Sequence, residues 1–142
     1  MQKERIEPPF GLMHETIELQ FQTRTNPVTI KLKGLTVNQC WQGKRFKTPE
    51  YKAYEKHMLL LLPKIEVPIG KLKVIYEFGV SNMQSDYDNL IKPFQDILQK
   101  KYWFNDFNIW EAEIKKVKVN IGEEYCKFEF ISIETSNKQF KK

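Results

Sequence analysis

Several features are scarce in this chain, and each scarcity removes a class of explanation. Only two cysteines are present, Cys40 and Cys126, distant in sequence and without a partnering motif. A disulfide framework is therefore not expected, and reduced thiols in a cytoplasmic protein are. No apolar run approaches the roughly 20 residues of a membrane span; the longest, Met58 to Leu62, reads as a core segment, so no membrane partner is expected. The first residues, Met1-Gln2-Lys3-Glu4-Arg5-Ile6-Glu7-Pro8-Pro9, lack the apolar centre of a signal peptide. There is no internal repeat, no low-complexity stretch and no linker dividing two domains. What remains is 142 residues with 41% hydrophobic and 29% charged content, the composition of one globular domain large enough to bury a core.

Periodicity outlines the domain. Ile17, Leu19 and Phe21 alternate with polar neighbours over Thr16 to Gln22, and Val28, Ile30 and Leu32 repeat the pattern after Asn26-Pro27. A hairpin is expected there. Thr48-Pro49-Glu50 has the order of N-cap, first helical residue and favourable acid. It predicts a helix that stops at Leu62 before Pro63, with Tyr51, Tyr54, Met58 and Leu61 on the core face and His57 on the surface. Leu72, Val74, Tyr76 and Phe78 alternate as a strand. Leu90, Ile91, Phe94, Ile97 and Leu98 form the stripe of a second helix that starts at Asp88 or Asn89, is irregular near Lys92 and frays by Lys100-Lys101. Trp110, Ala112 and Ile114 alternate, and Val117, Val119 and Ile121 continue on a shifted phase, which predicts a bulge at Lys115-Lys116. Gly122 turns the chain into a last strand through Cys126, Phe128 and Phe130. The fold class is α+β: a mixed, largely antiparallel sheet with two main helices. Residues 1–15 read as a flexible extension, 16–135 as the domain and 136–142 as a disordered basic tail.

The segment from Ser85 to Asp106 holds the chemistry. Asp86 and Asp88 alternate on what reads as an extended approach to the helix, and can project from one side while Tyr87 turns away. Asp88 reads as the N-cap. Asp88, Lys92 and Asp96 then fall four apart on one helical face, and Asp106 waits beyond the helix, where it can fold back towards the first pair. Carboxylates gathered in this way repel one another unless a cation lies among them. Hard oxygen ligands without histidine or thiolate point to Mg²⁺, with Mn²⁺ as the other choice. Structural roles compete: Asp88 as a simple cap, Asp86 as a turn residue, Lys92 as a salt-bridge partner of Asp88 and Asp96, and Asp96 as a structural acid two turns down the helix.

The net charge is +5, and its placement says more than its size. Lys44, Arg45 and Lys47 share one turn beside Trp41 and Phe46, and Lys115, Lys116 and Lys118 share one strand. Cations interleaved with aromatics suit phosphates and unstacked bases, with a solvated basic turn as the bland counterpart. Lys44, Arg45, Lys47 and Lys116 are the expected DNA contacts.

The run Asp86-Tyr87-Asp88-Asn89-Leu90-Ile91-Lys92-Pro93-Phe94-Gln95-Asp96-Ile97-Leu98, with Trp103 and Asn105-Asp106 after it, resembles the signature of the RusA family of Holliday junction resolvases. The earlier stretch Leu35-Thr36-Val37-Asn38-Gln39-Cys40-Trp41 with Lys44-Arg45 and Lys47-Thr48 is similar to that family's first segment, and the likeness spans roughly residues 28–133. Two departures stand out. Relatives often carry a basic residue where this chain has Ser85, and paired acids where it reads Asn105-Asp106, which leaves Asp106 as the only carboxylate there. The resemblance implies a Mg²⁺-dependent endodeoxyribonuclease that cuts four-way junction DNA by paired nicks leaving 5′ phosphates. It implies Asp86, Asp88 and Asp106 as metal ligands, with Lys92 as the fourth residue needed for cleavage. A junction has two strands to cut about a twofold axis, so a homodimer is expected. A non-catalytic junction-binding protein and a nuclease for other branched substrates are the competing readings.

Overall fold

The strand alternation expected at Leu72, Val74, Tyr76 and Phe78 builds the centre of the molecule. The computed structural model describes residues 24–43, 46–84 and 86–133. In chain order these form β1 (Val28–Ile30), a one-turn helix α1 (Val37–Cys40), a short hairpin β2 (Trp41–Gln42) and β3 (Phe46–Lys47), and α2 (Pro49–Leu61). They continue with β4 (Leu72–Val80), α3 (Tyr87–Tyr102), a 3₁₀ turn (Asp106–Asn108), β5 (Ile109–Lys118) and β6 (Tyr125–Ser132). The predicted strand over Thr16 to Gln22, the N-terminal extension and the basic tail lie outside the described residues, as do Lys44, Arg45 and Ser85.

The main sheet has the order β1-β6-β4-β5. β6 is antiparallel to both β1 and β4, and among the described residues only β4 and β5 are parallel. The class is thus mixed α+β with mostly antiparallel pairing. Thr25 extends the β1 edge: its N–H donates to the Phe130 carbonyl at 2.9 Å, and its hydroxyl accepts from the Phe130 N–H at 3.0 Å. One face of the sheet carries Leu72, Val74, Tyr76 and Phe78 of β4 and Cys126, Phe128 and Phe130 of β6, all buried. α3 lies on that face through Leu90, Phe94, Ile97 and Leu98. The Phe94 ring meets Tyr76, Phe78 and Phe128 edge-on at centroid distances of 5.4, 5.5 and 5.8 Å, the arrangement that aromatic quadrupoles favour.

α2 begins as its sequence predicts. The Thr48 hydroxyl accepts from the Tyr51 N–H at 3.1 Å and donates to the Gln39 carbonyl at 2.6 Å, so one side chain caps α2 and ties it to α1. Tyr51, Tyr54 and Met58 are buried and His57 is exposed. Leu61, expected on the core face, is 53% exposed, and Leu62 takes the inward position. The chain leaves the helix at Leu62 with extended backbone, and that side chain joins the core. Cys40 and Cys126 are free and buried, and burial raises their thiols to about 11 and about 12. Among the described residues no helix is long and apolar enough to cross a membrane.

β5 departs from expectation in its phase. Pairing with β4 runs without a break from Lys73↔Glu111 to Val80↔Lys118, so there is no bulge at Lys115-Lys116. The irregularity falls between Leu72↔Ile109 and Lys73↔Glu111, with Trp110 as the extra residue. Ala112, Ile114, Lys116 and Lys118 all lie opposite β4 residues of the core face. The hydrophobic phase lapses because lysines occupy the last core-side positions, where they serve the neighbouring loop.

Candidate acidic site at the start of the long helix

β4 ends at Val80, and residues 81–84 lead to α3. Two lysines of β5 hold this loop: Lys118 Nζ donates to the Ser81 carbonyl at 3.0 Å, and Lys116 Nζ donates to the Met83 carbonyl at 2.9 Å. The Ser81 hydroxyl donates to Glu124 at 2.7 Å, and the Gln84 N–H donates to Asn82 Oδ1 at 2.9 Å. Lys116, expected on DNA, is thus half-buried with its ammonium on a backbone carbonyl. Its selection by charge pattern alone missed this positional role. Beside the loop lies a cleft of about 280 Å³ lined in part by Lys33, Thr36, Gln39, Asn82 and Glu124. Sequence reasoning singled out none of these five for binding, and their only common signal is spatial. They gather beyond the carboxyl ends of the parallel strands, where α/β sheets place ligands.

α3 starts at Tyr87, one to two residues earlier than the Asp88 or Asn89 its sequence suggested. Asp86 is the N-cap, with extended backbone (φ −69°, ψ 140°) and no capping hydrogen bond from its side chain, while Asp88 lies within the first turn. The pair is therefore not an alternating couple on an extended segment, because the backbone turns helical between its two members. Asp86, Tyr87 and Asp88 are all exposed. An acid in the first turn suits the positive end of the helix. Pro93 lies inside the helix and is buried among the core residues.

Lys92 extends from the exposed side of α3, and its Nζ lies 2.9 Å from Asp96 in an i,i+4 pair with the lysine side chain 63% exposed. Such a pair contributes a few tenths of a kcal/mol. Lys47, another expected DNA contact, pairs with Glu55 at 3.1 Å and lies over the Tyr51 ring at 5.2 Å from its centroid. Glu55 also receives Lys100 at 2.8 Å. Burial opposes ionisation of Glu55, but hydrogen bonds from Lys100 and Lys47 outweigh it and hold the carboxyl below its ordinary value. This ion triad ties the hairpin and α2 to the far end of α3.

Asp106 lies elsewhere. α3 runs for 16 residues, about 24 Å at 1.5 Å per residue, and ends with Trp103 in the left-handed region at φ 59°. The 3₁₀ turn Asp106–Asn108 follows, and Ile109 then pairs with Leu72 at the beginning of β4. Asp86 and Asp88 stand beyond the end of β4, and Asp106 stands at its start. The chain does not bring the three together. Among the described residues no three His, Cys, Asp or Glu side chains are grouped closely enough to hold a metal ion. The expected return of Asp106 towards the first pair does not occur within one chain, because a helix of 16 residues stands between them.

Compared with known proteins, the chain matches no protein-family model and no curated protein.

Proposed function

We propose that this chain is a Mg²⁺- or Mn²⁺-dependent endonuclease that resolves Holliday junctions by paired symmetrical nicks. It would act as a cytoplasmic homodimer on four-way junction DNA in recombination and repair. The observation that carries the reading is the exposed pair Asp86 and Asp88, held at the start of α3 beyond the carboxyl ends of two parallel strands and set in the motif that resembles RusA. The donor set fits a hard divalent cation, since it offers oxygen alone. A cation held there would supply Lewis-acid polarisation of a phosphodiester and a water of lowered pKa.

The protein's own groups complete the site. Lys116 and Lys118 hold the loop that fixes where α3 begins, and so set the aim of both carboxylates. Lys92, one turn past Asp88, lies within a short swing of any phosphate bound there. Leaving Asp96 costs it only a few tenths of a kcal/mol, and its ammonium can offset charge developing on the phosphate. Lys33, at the neighbouring cleft, adds a cation for the strand backbone. The position of Asp106 imposes a condition: one chain offers two of the three carboxylates, and the third must come from a second copy. A twofold dimer meets this condition and matches the two symmetry-related strands of a junction.

The separation of Asp106 from Asp86 and Asp88 favours a second reading, a junction-binding protein that does not cut. Incubation of the purified chain with a synthetic four-way junction and Mg²⁺, with and without EDTA, separates the two. Symmetrical nicks abolished by EDTA, and reduced at least about a hundredfold by Asp88→Asn with binding retained, support the enzyme. Binding without cleavage supports the second reading. Preferential cutting of flaps or other branched substrates would keep the nuclease and change its substrate.

A further inference from the structure

The cleft beside the loop from β4 to α3 is built of groups whose hydrogen-bonding roles are already half assigned. Gln39 gives its Oε1 to the Thr36 N–H at 3.1 Å, closing the capping box of α1. Asn82 gives its Oδ1 to the Gln84 N–H at 2.9 Å. A backbone N–H donates only to the oxygen of a side-chain amide, so both amide orientations are fixed. What each side chain has left is its NH₂ group, a donor, and among the described residues neither NH₂ has a partner.

Glu124 supplies the opposite capacity. Its carboxylate takes the Ser81 hydroxyl at 2.7 Å and the Gly122 N–H at 2.9 Å. These bonds hold it below its ordinary value, so at neutral pH it only accepts, and each oxygen keeps a further lone pair. Lys33 lines the same cleft and balances its charge, and the apolar part of the lining is the buried pair Val80 and Leu90. Gly34 lets the chain before α1 settle there, since a Cβ on it would stand 3.1 Å from Leu90. A bare phosphate would meet Glu124 as well as Lys33, and an apolar ligand would leave two amides and a carboxylate unpaired. A planar heterocycle with donors and acceptors on its rim satisfies them all. At about 280 Å³ the cleft lies at the small end of ligand pockets, which suits a single ring system.

Position says which heterocycle. Leu90 follows Asp88 by two residues at the start of α3, and Asn82 precedes Asp86 by four in the loop that leads to it. We infer that the cleft takes one unstacked nucleobase of the strand bound at Asp86 and Asp88. Gln39 and Asn82 donate to its ring nitrogen or carbonyl acceptors, and Glu124 accepts from its amino or ring N–H. Because the two amides only donate and Glu124 only accepts, a base with the wrong order of groups leaves one of them unpaired. The site thereby gains a means to prefer one base beside the scissile phosphate, and in naming the strand being cut the pocket rests on the proposed nuclease.

Nitrogen-15-resolved spectra of the full chain, titrated without metal with a short single-stranded DNA of mixed sequence, test the pocket apart from cleavage. The side-chain NH₂ signals of Gln39 and Asn82 should shift. An abasic strand of the same length keeps sugar and phosphate but drops the bases, and should need about tenfold or more higher concentration for the same shift. Gln39→Glu keeps the oxygen that caps α1 and removes the donor, and Glu124→Gln keeps the shape and removes the obligatory acceptor. Each should weaken binding of the normal strand about tenfold or more relative to the abasic one, and should relax base preference in nicking at one position beside the cut. Unmoved NH₂ signals, or equal shifts from the two strands, would overturn the pocket. A base-dependent shift in a protein that never nicks DNA would leave the pocket standing and sink the nuclease. Nicking of all flanking sequences at one rate by the parent and both variants would do the reverse.

Discussion

Subunit mixing gives the sharpest test of how the acidic residues combine. Asp86 caps the start of a 16-residue helix, Asp88 lies in its first turn and Asp106 follows its end, a separation of about 24 Å along the helix. Ligands of one ion must lie within about 2.5 Å of it, so a site using all three takes Asp106 from the other copy. Asp88→Asn alone removes the local ligand from both sites of a dimer, and Asp106→Asn alone removes the donated one. Each variant should therefore nick junctions at least about a hundredfold more slowly than the parent. After equal mixing and exchange, about half the dimers are mixed, and each mixed dimer has one intact site of two. The expected recovery is about a quarter of the parental single-nick rate. A plasmid-borne cruciform reads this directly: mixed dimers yield nicked circles, whereas paired incision by the parent yields linear product. If sedimentation showed full exchange and the mixture nicked no faster than either variant, donation of Asp106 between copies would be refuted.

Two further predictions concern the scaffold. Phe94→Ala opens a cavity among Tyr76, Phe78 and Phe128, and should cost about 3–5 kcal/mol, lowering Tm by roughly 10–17 °C; a drop below about 3 °C would show that the aromatic cluster is not the centre of the core. Glu55→Gln should flatten the acid limb of stability. The carboxyl of Glu55 is held below its ordinary 4.5, so its contribution is present above that value and lost as pH falls through the lowered one. The parent should lose more stability than the variant between about pH 5 and pH 3 in thermal melts, and equal losses would exclude the triad.

The parts of the fold that local chemistry decides were readable in advance. Thr48-Pro49-Glu50 specified the start of α2 because capping needs only three residues. The stripe Leu90, Phe94, Ile97 and Leu98 specified the buried face of α3 because 3.6-residue periodicity is a local property. The core alternation of β4 held because both of its neighbours in the sheet leave one face buried. Decisions set by tertiary contact were not readable. The cap of α3 moved from Asp88 to Asp86 because the preceding loop is held from β5, a constraint no local pattern carries. The lapse of phase in β5 looked like a bulge, since nothing in its own sequence shows that Lys116 and Lys118 serve the 81–84 loop.

The placement of Asp106 follows from connectivity rather than detail. A helix that connects two parallel neighbours must run back along them, so whatever precedes it and whatever follows it end at opposite ends of the unit. The predicted helix length already implied that separation, and a fold-back of a few residues could not close it. Within such a unit, acidic groups on both flanks of the helix can meet only across a symmetry axis that reverses the strands.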